Sequence, residues 1–148
     1  MSSRRWARAA AVAAVLSVAG CGFSTVDANQ SQVCQQLAAW DPIINVMLTN
    51  TNPEGTNGQA KYAVAVYLAQ TEQKRNEFSK GQQQLLDRVN QAMTEYQQAL
   101  ADKNNDTPMA ENQTSLDSYQ MNIIANYRTM LVNVGCPMPS YMMAFPSA

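Results

Sequence analysis

Residues 116–136, LDSYQMNIIANYRTMLVNVGC, carry the strongest periodic signal in the chain. Their large apolar side chains recur at spacings of three and four, which places them along one face of an amphipathic α-helix. That face is formed by Leu116, Tyr119, Ile123, Tyr127, Met130 and Val134. Gly135 follows, in the position where a left-handed residue commonly ends a helix. The stretch predicts a long final helix and an all-α fold.

A second apolar face lies upstream, within the proline-free residues 59–102. Its members are Leu86, Val89, Met93, Tyr96 and Leu100. Residues 70–77, QTEQKRNE, contain no large apolar side chain, and Ser79-Lys80-Gly81-Gln82 resembles a helix end followed by a capping box. We therefore predict two helices with a tight turn near residues 79–81. A single rod of roughly 65 Å, at about 1.5 Å per residue, is the alternative.

The first helix is predicted from another apolar stripe at helical spacing. The stripe consists of Val33, Leu37, Trp40, Ile44 and Met47. Asn29, with Gln32 three residues later, suits the N-cap of this helix. Pro42 stands inside the stripe, so we expect either a kink or two short helices in line.

Two stretches rich in turn-forming residues, 50–58 and 102–112, separate the predicted helices. Within the second, Thr107-Pro108 has the composition of an N-cap followed by the first position of the last helix. Together these elements predict an antiparallel four-helix bundle over residues 33–136. A three-helix arrangement with one long helix is the alternative.

The first 21 residues have the organisation of an export signal. Arg4, Arg5 and Arg8 precede an apolar run of small residues, 9–19, that is too short for a ~20-residue membrane span. The run ends in Val18-Ala19-Gly20-Cys21, which resembles the lipobox of bacterial lipoprotein precursors. An ordinary secretory leader with a nearby cysteine is the alternative.

The resemblance implies a specific processing pathway. Signal peptidase II would remove residues 1–20, and Cys21 would become the diacylglycerol-bearing first residue, followed by a flexible tether to residue 32. The Ala- and Arg-rich leader is similar to those of actinobacterial lipoproteins. Ser3-Arg4-Arg5 also suggests twin-arginine export, whereas Ala7 and Arg8 favour the general secretory route. Either route places the mature protein outside the cytoplasm, anchored to the membrane by acyl chains.

Two cysteines remain once Cys21 is assigned to lipid. Export implies an oxidising compartment, so we predict that Cys34 and Cys136 form a disulfide. In an antiparallel bundle, the start of the first helix and the end of the last lie at the same end, and these are the places that the two cysteines occupy. Closing a loop of this size contributes roughly 4 to 5 kcal/mol in the chain-entropy treatment.

Composition narrows the function classes. The 148 residues include no histidine and only 14% charged residues, while Gln and Asn number 15 and 13. Histidine general bases, Ser-His pairs and His-ligated metals are therefore excluded. Without the three leader arginines, seven Lys and Arg face 11 Asp and Glu, a formal net charge of minus four. Such a balance is unlike the basic stripe of a nucleic-acid-binding protein.

Several other side chains are better explained by packing or solvation than by chemistry. Nine methionines, including Met138, Met142 and Met143 beside Cys136, could suggest soft copper ligands, but methionine commonly fills helical cores. The acids Glu72, Glu77, Asp87 and Glu95 lie off the apolar faces and predict a solvated surface. We therefore expect no metal, no cofactor beyond the lipid on Cys21, and no enzyme activity.

The last residues, 137–148, are apolar and punctuated by proline, so we expect an extended strap and not a helix. Its side chains Tyr141, Met142, Met143 and Phe145 are candidates for docking a protein partner. The leading functional hypothesis is a lipid-anchored, non-catalytic interaction or structural module of the bacterial envelope, such as an accessory subunit of a membrane complex. The alternative is a carrier of a small apolar or lipid ligand in the bundle core.

Overall fold

The computed structural model describes residues 28–145. Four α-helices follow one another: α1 (Ala28–Val46), α2 (Asn57–Lys74), α3 (Lys80–Leu100) and α4 (Gln113–Val134). Each helix packs on the next along the chain and α1 also packs on α4, so the four enclose one core. The prediction of an all-α bundle closed by a disulfide is confirmed. Between residues 28 and 145, no helix is long and apolar enough to cross a membrane.

The turn between α2 and α3 lies at residues 75–79, next to the predicted residues 79–81, and Lys80 and Gly81 already belong to α3. A short 3-10 turn, Arg75–Glu77, ends the first of the two helices, and Ser79 caps the second. The Ser79 hydroxyl accepts from the Gln82 backbone N–H, and the Gln82 side chain accepts from the Ser79 N–H at 2.9 Å. Because Phe78 is extended and buried between them, the single long rod does not form.

Helix α1 begins earlier than predicted, and of the two alternatives expected at Pro42 the division into two short helices does not occur. It continues through Pro42 without dividing into two helices. It also begins at Ala28, so residues 28–32 belong to the helix and not to a tether, and Asn29 is a helical residue and not its N-cap. The Gln30 amide donates to the Val134 carbonyl at 2.7 Å, a contact across 104 positions that holds this polar first turn on α4.

Two loops meet at the other end of the bundle and set the start of α2 and α4. Thr56 and Gln59 form a capping box, so α2 begins at Asn57, inside the predicted loop 50–58. The Asn57 N–H donates to the Thr107 carbonyl and the Met109 N–H to the Gly55 carbonyl, at 2.9 and 2.8 Å. Thr107-Pro108 therefore lead into a 3-10 turn, Met109–Asn112, and not directly into α4. This non-local pairing has no signature in the local sequence.

The predicted apolar stripes form the core. Trp40 lies at its centre, stacked on Phe78 at 5.8 Å and edge-on to Tyr67 at 5.5 Å between ring centroids. The buried side-chain amide of Gln120 has hydrogen-bond partners for both its nitrogen and its oxygen. It donates to the Thr49 and Tyr96 hydroxyls and accepts from the Thr49 N–H. Since Thr49 follows α1 and Gln120 lies on α4, this network fixes the connection after α1 against the opposite helix.

Candidate functional site

The predicted disulfide joins two elements at one end of the bundle. Cys34 lies near the start of α1, and Cys136 follows Gly135, which ends α4 in the left-handed conformation at φ 81° that favours glycine. Their Cα atoms are 5.3 Å apart and the sulfurs are bonded, across 102 positions of sequence. Cys21, the predicted site of lipid attachment, lies outside the described residues.

Two of the four C-terminal residues that were predicted to dock a partner are buried. Residues Ser140–Ala144 form a 3-10 turn, whereas an extended strap was expected. Met142 and Phe145 are buried in the protein's own core, Tyr141 is half-buried, and only Met143 is largely exposed, at 76%. The segment therefore completes the bundle, and the docking assignment is wrong for Met142 and Phe145.

Three hydrogen bonds, two from Arg128 and one from Tyr141, hold the C-terminal segment in place. The Arg128 guanidinium on α4 donates to the carbonyls of Met142 and Phe145, at 2.6 and 3.2 Å. The Tyr141 hydroxyl donates to Oδ1 of Asp41 on α1 at 3.3 Å. The segment is thus fixed to the first and the last helix of the bundle, α1 and α4.

Asp41 is the centre of a cluster of tyrosines that sequence reasoning missed. The buried Tyr127 hydroxyl lies 2.7 Å from the Leu37 carbonyl and 3.0 Å from Asp41 Oδ1, but it has one proton to donate. When that proton is directed at Leu37, the contact with Asp41 is a hydrogen bond only if Asp41 carries a proton. Burial raises the pKa of Asp41, and the hydrogen bonds from Tyr127 and Tyr141 partly oppose that rise.

The tyrosines of this cluster stay neutral. Burial, with the neighbouring carboxylate of Asp41, raises the pKa of both Tyr127 and Tyr141 above the usual tyrosine range. Burial alone raises that of Tyr67, which also contributes to the raised pKa of both hydroxyls. All three therefore stay protonated wherever Asp41 titrates.

Asp41 lines a groove of about 520 Å³ between α1, the end of α4 and the C-terminal segment. Its apolar wall is formed by the disulfide, Leu131, Pro137, Met138 and Pro139, and its polar wall by Ser31, Gln35 and Asp41. Among the described residues that line it, Asp41 is the only charged one. We call this the tail groove.

A second groove, of about 610 Å³, lies between α1 and α2, and we call it the α1–α2 groove. Its apolar surface is formed by Pro42, Ile43, Val46, Tyr62, Ala63 and Val66, and its rim by Asn45, Thr51, Asn52 and Gln59. None of these residues is charged. Tyr62 is 74% exposed and Val46 39%, so the apolar surface is open to solvent.

The acids considered in the sequence form no site with one another. Glu72, Glu77 and Asp87 are exposed and Glu95 is half-exposed; Glu77 pairs with Lys74, and Asp87 with Arg75. Within residues 28–145, no group of three or more His, Cys, Asp or Glu side chains is placed to hold a metal ion.

Comparison with known proteins adds no assignment to either groove. The sequence matches no protein-family model, and neither the curated proteins nor the solved structures gave a significant match.

Proposed function

We propose that this chain is an envelope lipoprotein, anchored to a bacterial membrane through Cys21, whose bundle is a non-catalytic module that binds another protein. The α1–α2 groove is the binding surface in this proposal. The observation that carries it is an exposed tyrosine, Tyr62, beside an open apolar surface whose lining residues, within the described part of the chain, are all uncharged. Contiguous exposed apolar surfaces of this kind are typical of interaction sites.

Two features support an extracytoplasmic location. The leader ends in the lipobox-like Val18-Ala19-Gly20-Cys21, and the two remaining cysteines are paired, as is usual for exported proteins. The acidic mature chain lacks a cluster of Lys and Arg, so attachment relies on acyl chains and not on anionic lipid headgroups.

The position of the groove along α1 suits a protein partner. Anchored at Cys21, the protein would hold the start of α1 near the membrane, while Val46, which lines the groove, ends that helix. Its 19 residues span about 28 Å at about 1.5 Å per residue, which would present the groove away from the lipid. The occupant that fits is an uncharged protein segment with apolar side chains, whose polar groups meet the amides Asn45, Asn52 and Gln59.

Photocrosslinking in intact membranes tests the surface. A photoreactive phenylalanine analogue replaces Tyr62 in the full chain, and in the control it replaces Ser118, which is exposed on α4. We expect one adduct of fixed mass at position 62 and none at position 118. The same adducts at both positions, or an adduct of twice the mass of this chain, would refute the proposed partner.

The protein identified in that adduct then provides a quantitative test. Tyr62→Ser removes the exposed ring and is expected to weaken binding of the purified partner by about tenfold or more, which corresponds to about 1.4 kcal/mol. Val132→Ser is the matched control, because Val132 is also largely exposed but lies on α4. Equal affinities for wild type and Tyr62→Ser would exclude the α1–α2 groove.

A ligand-binding role is the second candidate. The carboxylate of Asp41 supports a ligand in the tail groove, whereas the alternative drawn from the sequence is a ligand in the bundle core.

A further inference from the structure

We propose that the tail groove binds a small organic cation, an ammonium with an apolar body, with Asp41 as the residue that holds the charge. This site is separate from the protein-binding surface proposed above: the two grooves share no lining residue. It would give the module a ligand of its own.

The two oxygens of Asp41 are in different situations. Oδ1 receives the Tyr141 hydroxyl and lies within hydrogen-bond distance of the Tyr127 hydroxyl. Oδ2 has no hydrogen-bond partner among the described residues, although Asp41 lines the groove. The tyrosines therefore hold the carboxyl group in place and leave one oxygen available for a donor in the groove.

The charge of Asp41 has no partner within the described part of the chain. None of the ion pairs there includes Asp41, and the guanidinium of Arg128 donates to the carbonyls of the C-terminal segment. A half-buried carboxylate without a counter-ion is destabilising, as the raised pKa of Asp41 also indicates. An ammonium group in the groove would supply the missing counter-charge in place of a proton.

A second acceptor lies one helical turn before Asp41. Pro42 has no N–H, so the carbonyl of Ala38, four residues earlier, has lost its usual helical donor. Ala38 also lines the tail groove. An ammonium group has several N–H donors and can satisfy more than one acceptor, whereas a neutral apolar ligand can satisfy neither.

The wall of the tail groove opposite Asp41 is apolar and favours a ligand whose uncharged part is apolar. The disulfide, Leu131 and Met138, together with Pro137 and Pro139, form an apolar surface opposite the carboxylate. A volume of about 520 Å³ lies within the range of small-molecule sites, which is roughly 300 to 1,000 Å³. The class that fits is a primary amine on an aromatic or aliphatic group, in its protonated form.

Methyl NMR on the full chain in lipid nanodiscs, with labelled methionine, tests the site. The Met138 methyl group reports on the tail groove, and that of the exposed Met143 is the internal control. The probe is benzylammonium at pH 7.5, compared with its neutral counterpart benzyl alcohol. We expect a saturable shift of the Met138 signal, and at least tenfold weaker binding of the alcohol.

Two variants test the charge of Asp41 and the volume of the tail groove separately. Asp41→Asn is expected to weaken benzylammonium binding at least tenfold. Should that variant fold poorly, Ala38→Leu tests the site instead. Ala38 is exposed and lines the groove, so a larger side chain there should narrow the groove and weaken benzylammonium binding. The matched control is Ala39→Leu, at the neighbouring exposed position that does not line the groove.

Each of these measurements either supports or overturns the proposed cation site. Weaker binding in Ala38→Leu with unchanged binding in Ala39→Leu supports it. Equal binding of benzyl alcohol and benzylammonium, unchanged binding in a folded Asp41→Asn variant, or the absence of a saturable Met138 shift would overturn it. The proposed protein partner is unaffected by any of these outcomes, because its binding is measured at Tyr62.

Discussion

The hydroxyl of Tyr141 donates to Oδ1 of Asp41 at 3.3 Å, across 100 positions of sequence. Through this contact the last described segment of the chain is joined to the first helix. The disulfide between Cys34 and Cys136 joins the same two regions covalently, about two helical turns away along α1. The disulfide and Asp41 both line the tail groove.

Removing the disulfide should destabilise the bundle. We expect Cys34→Ser to lower the free energy of unfolding by about 2 to 5 kcal/mol, because the unfolded chain gains the freedom of a large loop. Urea unfolding without reductant measures the effect. Cys136→Ser and the double variant should resemble Cys34→Ser, since all three lack the same bond. A variant as stable as the wild type would show that the bridge does not contribute.

Stability should depend on pH through Asp41. Because folding raises the pKa of this carboxyl group above its value in the unfolded chain, the folded state binds the proton more tightly. The contribution of Asp41 therefore becomes less favourable as pH rises from about 4, near the pKa of an unfolded Asp, through the raised pKa. Tyr127, Tyr141 and Tyr67 remain neutral over this window and do not offset the change.

Asp41→Asn isolates that contribution. The stability of the wild type relative to Asp41→Asn should be greater at pH 4 than at pH 7, as measured by urea unfolding at both values. Exposed acids are common to both proteins and cancel in the difference. A relative stability that rises with pH would mean that the pKa of Asp41 is lowered on folding, contrary to its burial.

The buried amide of Gln120 should be costly to replace. Gln120→Met leaves the Thr49 N–H without its acceptor and removes a donor to the Tyr96 hydroxyl. Unsatisfied buried groups of this kind cost about 1 to 3 kcal/mol, which thermal or urea unfolding would detect. Gln98→Met, at an exposed position on α3, is the control and should change stability by less than about 0.5 kcal/mol. Equal effects of the two changes would contradict the role of the network.

The contacts of Tyr141 should control the order of the C-terminal segment. Tyr141→Phe removes the hydrogen bond to Asp41 but retains the ring, so we expect global stability to fall by only about 0.5 to 1.5 kcal/mol. Amide exchange at Met142 and Phe145, whose N–H groups are bonded within the 3-10 turn, should accelerate. Protection there that matches the wild type would show that Arg128 holds the segment without Tyr141.

The helices could be predicted because their signals are local. The stripe of Leu86, Val89 and Met93 repeats within one helix, and the capping box of Ser79 and Gln82 spans four residues. When the helices pack together, these apolar stripes face one another and become the core. The same reasoning correctly left Glu72 and Asp87 at the surface.

The cluster around Asp41 could not be predicted in this way, because its members are distant in sequence. Asp41 meets Tyr127 across 86 positions and Tyr141 across 100, and no periodic pattern links them. The apolar residues after Pro137 are equally compatible with a partner's surface or with the protein's own core. In the structure Arg128 binds two backbone carbonyls of this segment and holds it on the bundle. Such contacts between a side chain and distant backbone groups cannot be read from the sequence.

The intact mass of the protein extracted from membranes of a bacterial host shows whether Cys21 carries a lipid. We expect the mass of residues 21–148 plus a diacylglycerol group, and Cys21→Ala should accumulate as the uncleaved, unmodified precursor. A wild-type mass that corresponds to the unmodified chain, cleaved or uncleaved, would contradict lipid attachment at Cys21.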